Sequence, residues 1–227
     1  MKDSFTQQDG GEAGLPVISA VVIVVAVVAQ SFPALSAALQ LERSAVAGGQ
    51  WWRVITGHLT HWSWEHLCWD LAGFAILGCL CERRWRGRFV VCLLVSAGCV
   101  SAAFHFWHPE LSAYRGLSGV DSALFGLALA AFWRDARHRR DSAMTWLFGG
   151  VALLFCAKIT YEIMACDFVF VADAGGRMMP VPVAHVVGFL SGVACALVGL
   201  RLSSVVRASG TEGVGACQLA VRDVPHH

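Results

Sequence analysis

Apolar stretches alternate with polar connections along the whole chain, at about 17 to 39, 64 to 82, 88 to 107, 118 to 133, 144 to 164 and 181 to 203. A helix needs about 20 mostly apolar residues to cross the roughly 30 Å hydrocarbon core of a bilayer, so each stretch predicts a membrane span. The fourth is the exception, because its apolar run provides only about 24 Å of helix at 1.5 Å per residue. Its start is therefore expected below the membrane surface. The residues before it, 108 to 117, contain Pro109 and Gly116 and read as non-helical backbone dipping into the membrane. Such backbone is tolerated only where protein or a water-filled cavity surrounds it. The pattern predicts an all-α bundle of six membrane helices with a short central fourth helix.

Composition agrees with the pattern. Hydrophobic residues make up 56% of the chain and charged residues 15%, with a mean hydropathy of +0.59. No polar segment is long enough for a separate soluble domain. The expected organisation is a short segment over 1–16, a membrane domain over 17–203 and a flexible tail over 204–227. Val17 to Ala29, followed by small residues at 34–38, also fits a signal peptide, although Lys2 is the sole basic residue before it.

Arginine placement orients the spans. Arg83, Arg84, Arg86 and Arg88 fill the second connection, Arg134, Arg137, Arg139 and Arg140 the fourth, and Arg201 and Arg207 follow the last span. The opposite connections hold only Arg43, Arg53, Arg115 and Arg177. Positive charge marks the cytoplasmic side, which puts both termini in the cytoplasm and starts spans two, four and six at the outer face. A net charge of +1 argues against a nucleic-acid partner. The nine cysteines are odd in number, most lie in or beside apolar spans, and no CxxC pair occurs. They read as unpaired small hydrophobes.

Three polar groups fall at the outer ends of the even-numbered spans. Ser118 opens span four in the run Tyr114-Arg115-Gly116-Leu117-Ser118-Gly119, where Gly116 and Gly119 permit a sharp turn and freed helix-start amides can face developing negative charge. His185 lies about one turn inside span six, after Pro180 and Pro182. Small residues recur every four positions on both helices, as Ser118, Ser122, Gly126 and Ala130 and as Ala184, Gly188, Gly192 and Ala196, which permits close backbone approach. A serine and a histidine at one depth suit a nucleophile and its general base. Each residue taken alone is equally a packing serine or a hydrogen-bonded bundle histidine. Ionisable groups inside a membrane are costly and usually functional.

His58, His61, His66 and Asp70 precede or open span two, with His66 and Asp70 on one helix face. A histidine there can donate a hydrogen bond to an oxyanion. Several histidines and a carboxylate also suit zinc or iron, but neither HExxH nor repeated histidine boxes are present, and His105 and His108 complete no such set. Trp51, Trp52, Trp62 and Trp64 suit an interfacial aromatic belt.

Four pieces together resemble the rhomboid family of intramembrane serine proteases, over nearly all six spans. They are Trp52-Arg53, His61 to Asp70 as His-x4-His-x3-Asp, Gly116 to Gly119 as Gly-x-Ser-Gly, and Ala184-His185 followed by Gly188 and Gly192. The resemblance implies Ser118 as nucleophile, His185 as base, and His66 with the Ser118 amide as oxyanion donors. It implies no cofactor and no metal. Two positions depart from the family pattern. Asp70 stands where most rhomboids have asparagine, and an ionised carboxylate cannot donate to an oxyanion. Either Asp70 is protonated, or it orients His66. Ser122 stands where many members have a tyrosine packed beside the histidine, so another group must hold the imidazole.

His-Leu-x-Trp-Asp and Tyr-Arg-Gly-Leu-Ser-Gly are similar to the bacterial rhombosortase subgroup. That similarity implies a bacterial inner-membrane enzyme acting on proteins with a C-terminal Gly-Gly-containing membrane anchor, the anchor helix entering between spans two and five. Single-pass or C-terminally anchored membrane proteins are the expected partners, besides lipid. A catalytically silent rhomboid-like binding protein or chaperone, and a histidine-rich metal-dependent membrane enzyme, remain alternatives.

Overall fold

The computed structural model describes residues 14–165 and 182–198. The terminal segments expected at 1–16 and 204–227 lie outside them, apart from residues 14–16, as do Pro180, Arg177, Arg201 and Arg207. The order of elements is α1 Val17–Ser31, α2 Pro33–Leu39, β1 Leu41–Glu42, α3 Arg43–Ala47, α4 Arg53–Thr56, α5 Trp64–Trp107, β2 Ala113–Tyr114, α6 Ser118–His138, α7 Ser142–Ala165 and α8 Pro182–Val198.

Two of these helices, α5 and α7, are long and apolar enough to cross a membrane, or three if the bent pair α1 and α2 forms one span. The expected first span over 17–39 is two helices joined by a bend, which measures 118°. Pro33 explains it: proline disfavours helical geometry at the preceding residue, and Phe32 is extended with φ −120° and ψ 100°. α1 is rich in valine, a modest helix former in water. In a membrane the helix is imposed by the need to satisfy every backbone group internally. At its start, the buried Glu82 carboxylate accepts from the amides of Ile18 at 3.0 Å and Ser19 at 2.7 Å, and from Ser19 Oγ at 2.8 Å. A carboxylate at a helix N-terminus meets both its orphan amides and its dipole.

α5 runs over 44 residues but breaks at Trp85, whose φ −146° and ψ 54° are not helical. Each arm is about 30 Å long at 1.5 Å per residue, one membrane thickness. Asp70 on the first arm and Val100 on the second both meet the turn at 117–119, so the arms run antiparallel. Ser63 starts the first arm by accepting the His66 amide at 3.1 Å.

The connection between α1 and α5 is tied to the bundle by arginines. Arg43 donates to the carbonyls of Phe104, His105, His108 and Leu111, closing the end of α5, and Arg53 donates to those of Ala37 and Gln40. β1 pairs antiparallel with β2, Leu41 opposite Tyr114, a small exception to the all-α expectation. This ladder and Arg43 hold the 108–117 stretch in place.

α6 is longer than the expected run over 118–133. It continues to His138 because Arg, Ala, Asp and His carry the helix past the apolar stretch, supported by Arg139 on Asp135 and Arg134 on His138 four residues apart. α6 and α8 touch backbone to backbone. A Cβ at Gly188 would strike the Gly119 carbonyl, one at Gly192 the Ala123 carbonyl, and one at Gly126 the Phe189 carbonyl. The first two pairs advance together, so the helices run parallel. The row of α6 that meets Gly188 and Gly192 contains Gly119 and Ala123, one residue on from the expected Ser118–Ser122 row. Ser122 instead donates within its own helix to the Ser118 carbonyl at 2.8 Å.

Candidate active site

Because α6 and α8 run parallel, Ser118 at the first residue of α6 and His185 in the first turn of α8 lie at the same end of the bundle. Both line a cavity of about 390 Å³. Its walls come from four elements: His66, Asp70, Gly73 and Ile76 from α5, Ser118, Asp121, Ser122 and Phe125 from α6, Phe155, Lys158 and Glu162 from α7, and His185 from α8. The volume lies in the range of small-molecule and peptide side-chain sites. It is flanked by the first arm of α5 on one side and α7 on the other.

The turn ahead of Ser118 is built on Gly116, at φ +130°, a conformation that side chains rarely adopt. A Cβ there would also stand 3.0 Å from the His66 ring and 3.4 Å from Asp70 Oδ2. Glycine thus lets the backbone close onto the α5 pair. Gly119 packs against Val100 and the Ala184 carbonyl.

Asp70 is the focus of this region. Its Oδ2 accepts from the amides of Leu117 at 2.8 Å and Ser118 at 3.1 Å, and lies 3.1 Å from His61 Nε2 and 3.3 Å from His66 Nε2. Two fixed N–H groups make this oxygen an acceptor, so it is not the hydrogen-bond donor to an oxyanion. With the carboxylate as acceptor, both imidazoles are set with Nε2–H toward it, and the Nδ1 atoms of His61 and His66 have no partner. Burial holds the His61 pKa below its ordinary value, consistent with a neutral ring. The Ser118 amide and His66, the two expected oxyanion donors, thus converge on a single point, and Asp70 Oδ2 occupies it.

His185 makes its contacts on the other side. Its Nδ1 lies 3.0 Å from Glu162 Oε2 and 3.4 Å from Lys158 Nζ, while Lys158 Nζ is 2.8 Å from Glu162 Oε1. No hydrogen bond joins Ser118 to His185 among the described residues.

Glu162, Lys158 and Asp121 escaped the sequence reading. Glu162 and Lys158 are ionisable residues inside an apolar span, the signal that could have found them. Asp121 lines the cavity with Oδ1 unpartnered. Tyr114 is buried beside Ser118, its hydroxyl unpartnered, and burial pushes its phenol above the ordinary value so that it stays neutral. His58 belongs to the scaffold: its Nε2 lies 3.1 Å from both the Ala97 carbonyl and Ser101 Oγ, and burial lowers its pKa to about 4.

The seven cysteines among the described residues are free thiols. No group of three His, Cys, Asp or Glu among the described residues is arranged to hold a metal ion.

A search of curated proteins finds no match to the chain. A comparison with protein families matches the rhomboid domain to residues 48–202, a stretch that begins in the first connection and includes Ser118, His185, His66 and Asp70. Over most of its length, and across every element that walls the cavity, this integral membrane protein belongs to the rhomboid family.

Proposed function

We propose that the protein is an intramembrane serine endopeptidase in which Ser118 is the nucleophile and His185 the general base. The observation that carries this reading is the parallel contact of α6 and α8, which sets both residues at one end of the bundle on one cavity wall. Rhomboids are in general serine proteases of this kind. In this reading the chain crosses six times, both arms of α5 included, with both termini cytoplasmic and the cavity opening at the outer face of a bacterial inner membrane.

A substrate helix enters between α5 and α7, and its end unwinds so that a peptide carbonyl reaches Ser118. Ser118 Oγ bonds the carbonyl carbon as its proton passes to His185. The imidazolium returns that proton to the leaving amine, and water cleaves the acyl-enzyme. During attack the carbonyl oxygen takes the place of Asp70 Oδ2 on the Ser118 amide, with His66 Nε2–H as second donor. Rotation of the Asp70 side chain is then part of the catalytic cycle. Small residues at the cut favour unwinding, which suits proteins carrying a C-terminal Gly-Gly-containing anchor and hence rhombosortase action.

A silent binding protein is the second reading, and the occupied Ser118 amide is what favours it. Fluorophosphonate treatment of the detergent-purified protein separates the two. The protease reading expects mass spectrometry to find the adduct on Ser118 and to lose it in His185→Ala. An unmodified Ser118 in the wild type supports the binding protein.

A further inference from the structure

α7 is apolar nearly all round, and within its most apolar window only 6% of residues are buried inside the protein. Its buried residues are Ile159 and Glu162. A buried carboxylate is costly unless paired and hydrogen-bonded. Glu162 is 3% exposed and each of its oxygens is used once, Oε1 by Lys158 at 2.8 Å and Oε2 by His185 Nδ1 at 3.0 Å. On a membrane span this pair is costly against lipid and turns toward the bundle interior. The group it meets there is the His185 imidazole rather than an apolar wall.

Nδ1 can make one hydrogen bond of this kind, and the shorter, charge-complementary one is to Glu162. Its carboxylate takes the Nδ1–H, which leaves the Nε2 lone pair free for the serine proton. Lys158 Nζ, 3.4 Å from the same nitrogen, faces it as a positive charge.

From this arrangement we infer that Glu162 is a positioning residue that fixes the tautomer and orientation of His185 and stabilises its imidazolium, with Lys158 limiting how basic the imidazole becomes. This deepens the serine protease reading and rests on it. The role left open by Ser122, where relatives carry a tyrosine beside the histidine, is thereby filled from α7. The other titratable groups on the cavity wall are His66 and Asp70 from α5 and Asp121 from α6. They are common to every variant below and do not touch Nδ1.

The rate of Ser118 labelling by a fluorophosphonate, measured against pH on the full chain in detergent, reads this directly. In that reaction Ser118 Oγ bonds phosphorus, fluoride leaves and the serine proton goes to His185. Glu162→Gln, which keeps an acceptor for Nδ1–H but removes its charge, should slow labelling about five- to tenfold and move the acid limb to lower pH. Glu162→Asp should restore part of the rate. Lys158→Met should move the acid limb to higher pH, a shift that impaired folding does not produce. Wild-type labelling combined with unchanged rates and pH profiles in Glu162→Gln and Lys158→Met overturns the positioning role alone. A wild type that does not label removes the protease reading and this inference together.

Discussion

Asp70 Oδ2 accepts the backbone amide of Ser118 at 3.1 Å, so an N–H group proposed to receive a substrate oxyanion is occupied by a side chain of the same protein. The neighbouring Leu117 amide and the imidazoles of His61 and His66 face the same oxygen. In the proposed mechanism this oxygen has to leave before a substrate oxyanion can take its place.

Asp70→Asn weakens this occupancy without emptying it. A hydrogen bond to a charged acceptor contributes about 1 kcal/mol more than a neutral one, so releasing the Ser118 amide becomes easier and turnover should rise about fivefold. The amide nitrogen can also donate to the oxyanion. Asp70→Ala should lower the melting temperature, because it leaves buried donors unmatched at about 1–3 kcal/mol. A tenfold loss of turnover in Asp70→Asn, with folding intact, would show that the carboxylate's charge is needed rather than displaced.

The contact between α6 and α8 gives a second test. Gly188→Ala sets a methyl against the Gly119 carbonyl, within one turn of His185, and overpacking of this kind costs about 1–3 kcal/mol. Melting temperature and Ser118 labelling should fall together. Gly150→Ala on α7, where a Cβ meets nothing within 4 Å, should leave both unchanged or slightly raise stability. Equal behaviour of the two variants contradicts the backbone contact.

His58 predicts a pH dependence of stability. Its pKa falls from 6.5 to about 4 on folding, because burial disfavours the charged ring. Between those values the unfolded state binds the extra proton, so stability is complete above pH 6.5 and declines as pH falls toward 4. His58→Gln keeps a donor for the Ala97 carbonyl and removes the titration. Its melting temperature should fall less steeply over that window than the wild type's, and parallel curves would refute the assignment.

Much of the bundle was legible from apolar run length and from the glycines and histidines around Ser118. What escaped has physical reasons. The run over 17–39 reads as a straight span by hydropathy, and Pro33 bends it because backbone geometry, not apolarity, decides where a helix bends. Gly126, Gly188 and Gly192 of the expected ridges do make the close contacts, but Gly188 and Gly192 meet Gly119 and Ala123, one residue on from Ser118 and Ser122, since serine, alanine and glycine all satisfy a small-residue pattern and only the helix rotation chooses among them. The β1–β2 ladder and the Arg43 clamp join segments far apart in sequence, and local patterns carry no such pairing. Glu162 and Lys158 were visible as charges in an apolar span, but their partner His185 lies on another helix. Asp70 stands out in the sequence as a departure from the family pattern and the turn at Gly116 is expected there, but the grip of Asp70 on the Ser118 amide depends on how that turn packs against α5, which local sequence does not encode.

Cleavage of a reconstituted single-span reporter, with a small-residue segment before its membrane helix, decides whether Ser118 is a nucleophile. Wild-type protein should release a fragment whose new C-terminus, read by mass spectrometry, lies near the outer end of that helix, and Ser118→Ala should release none while melting at the wild-type temperature. Cleavage that persists at the same bond in Ser118→Ala would contradict a serine mechanism at this site.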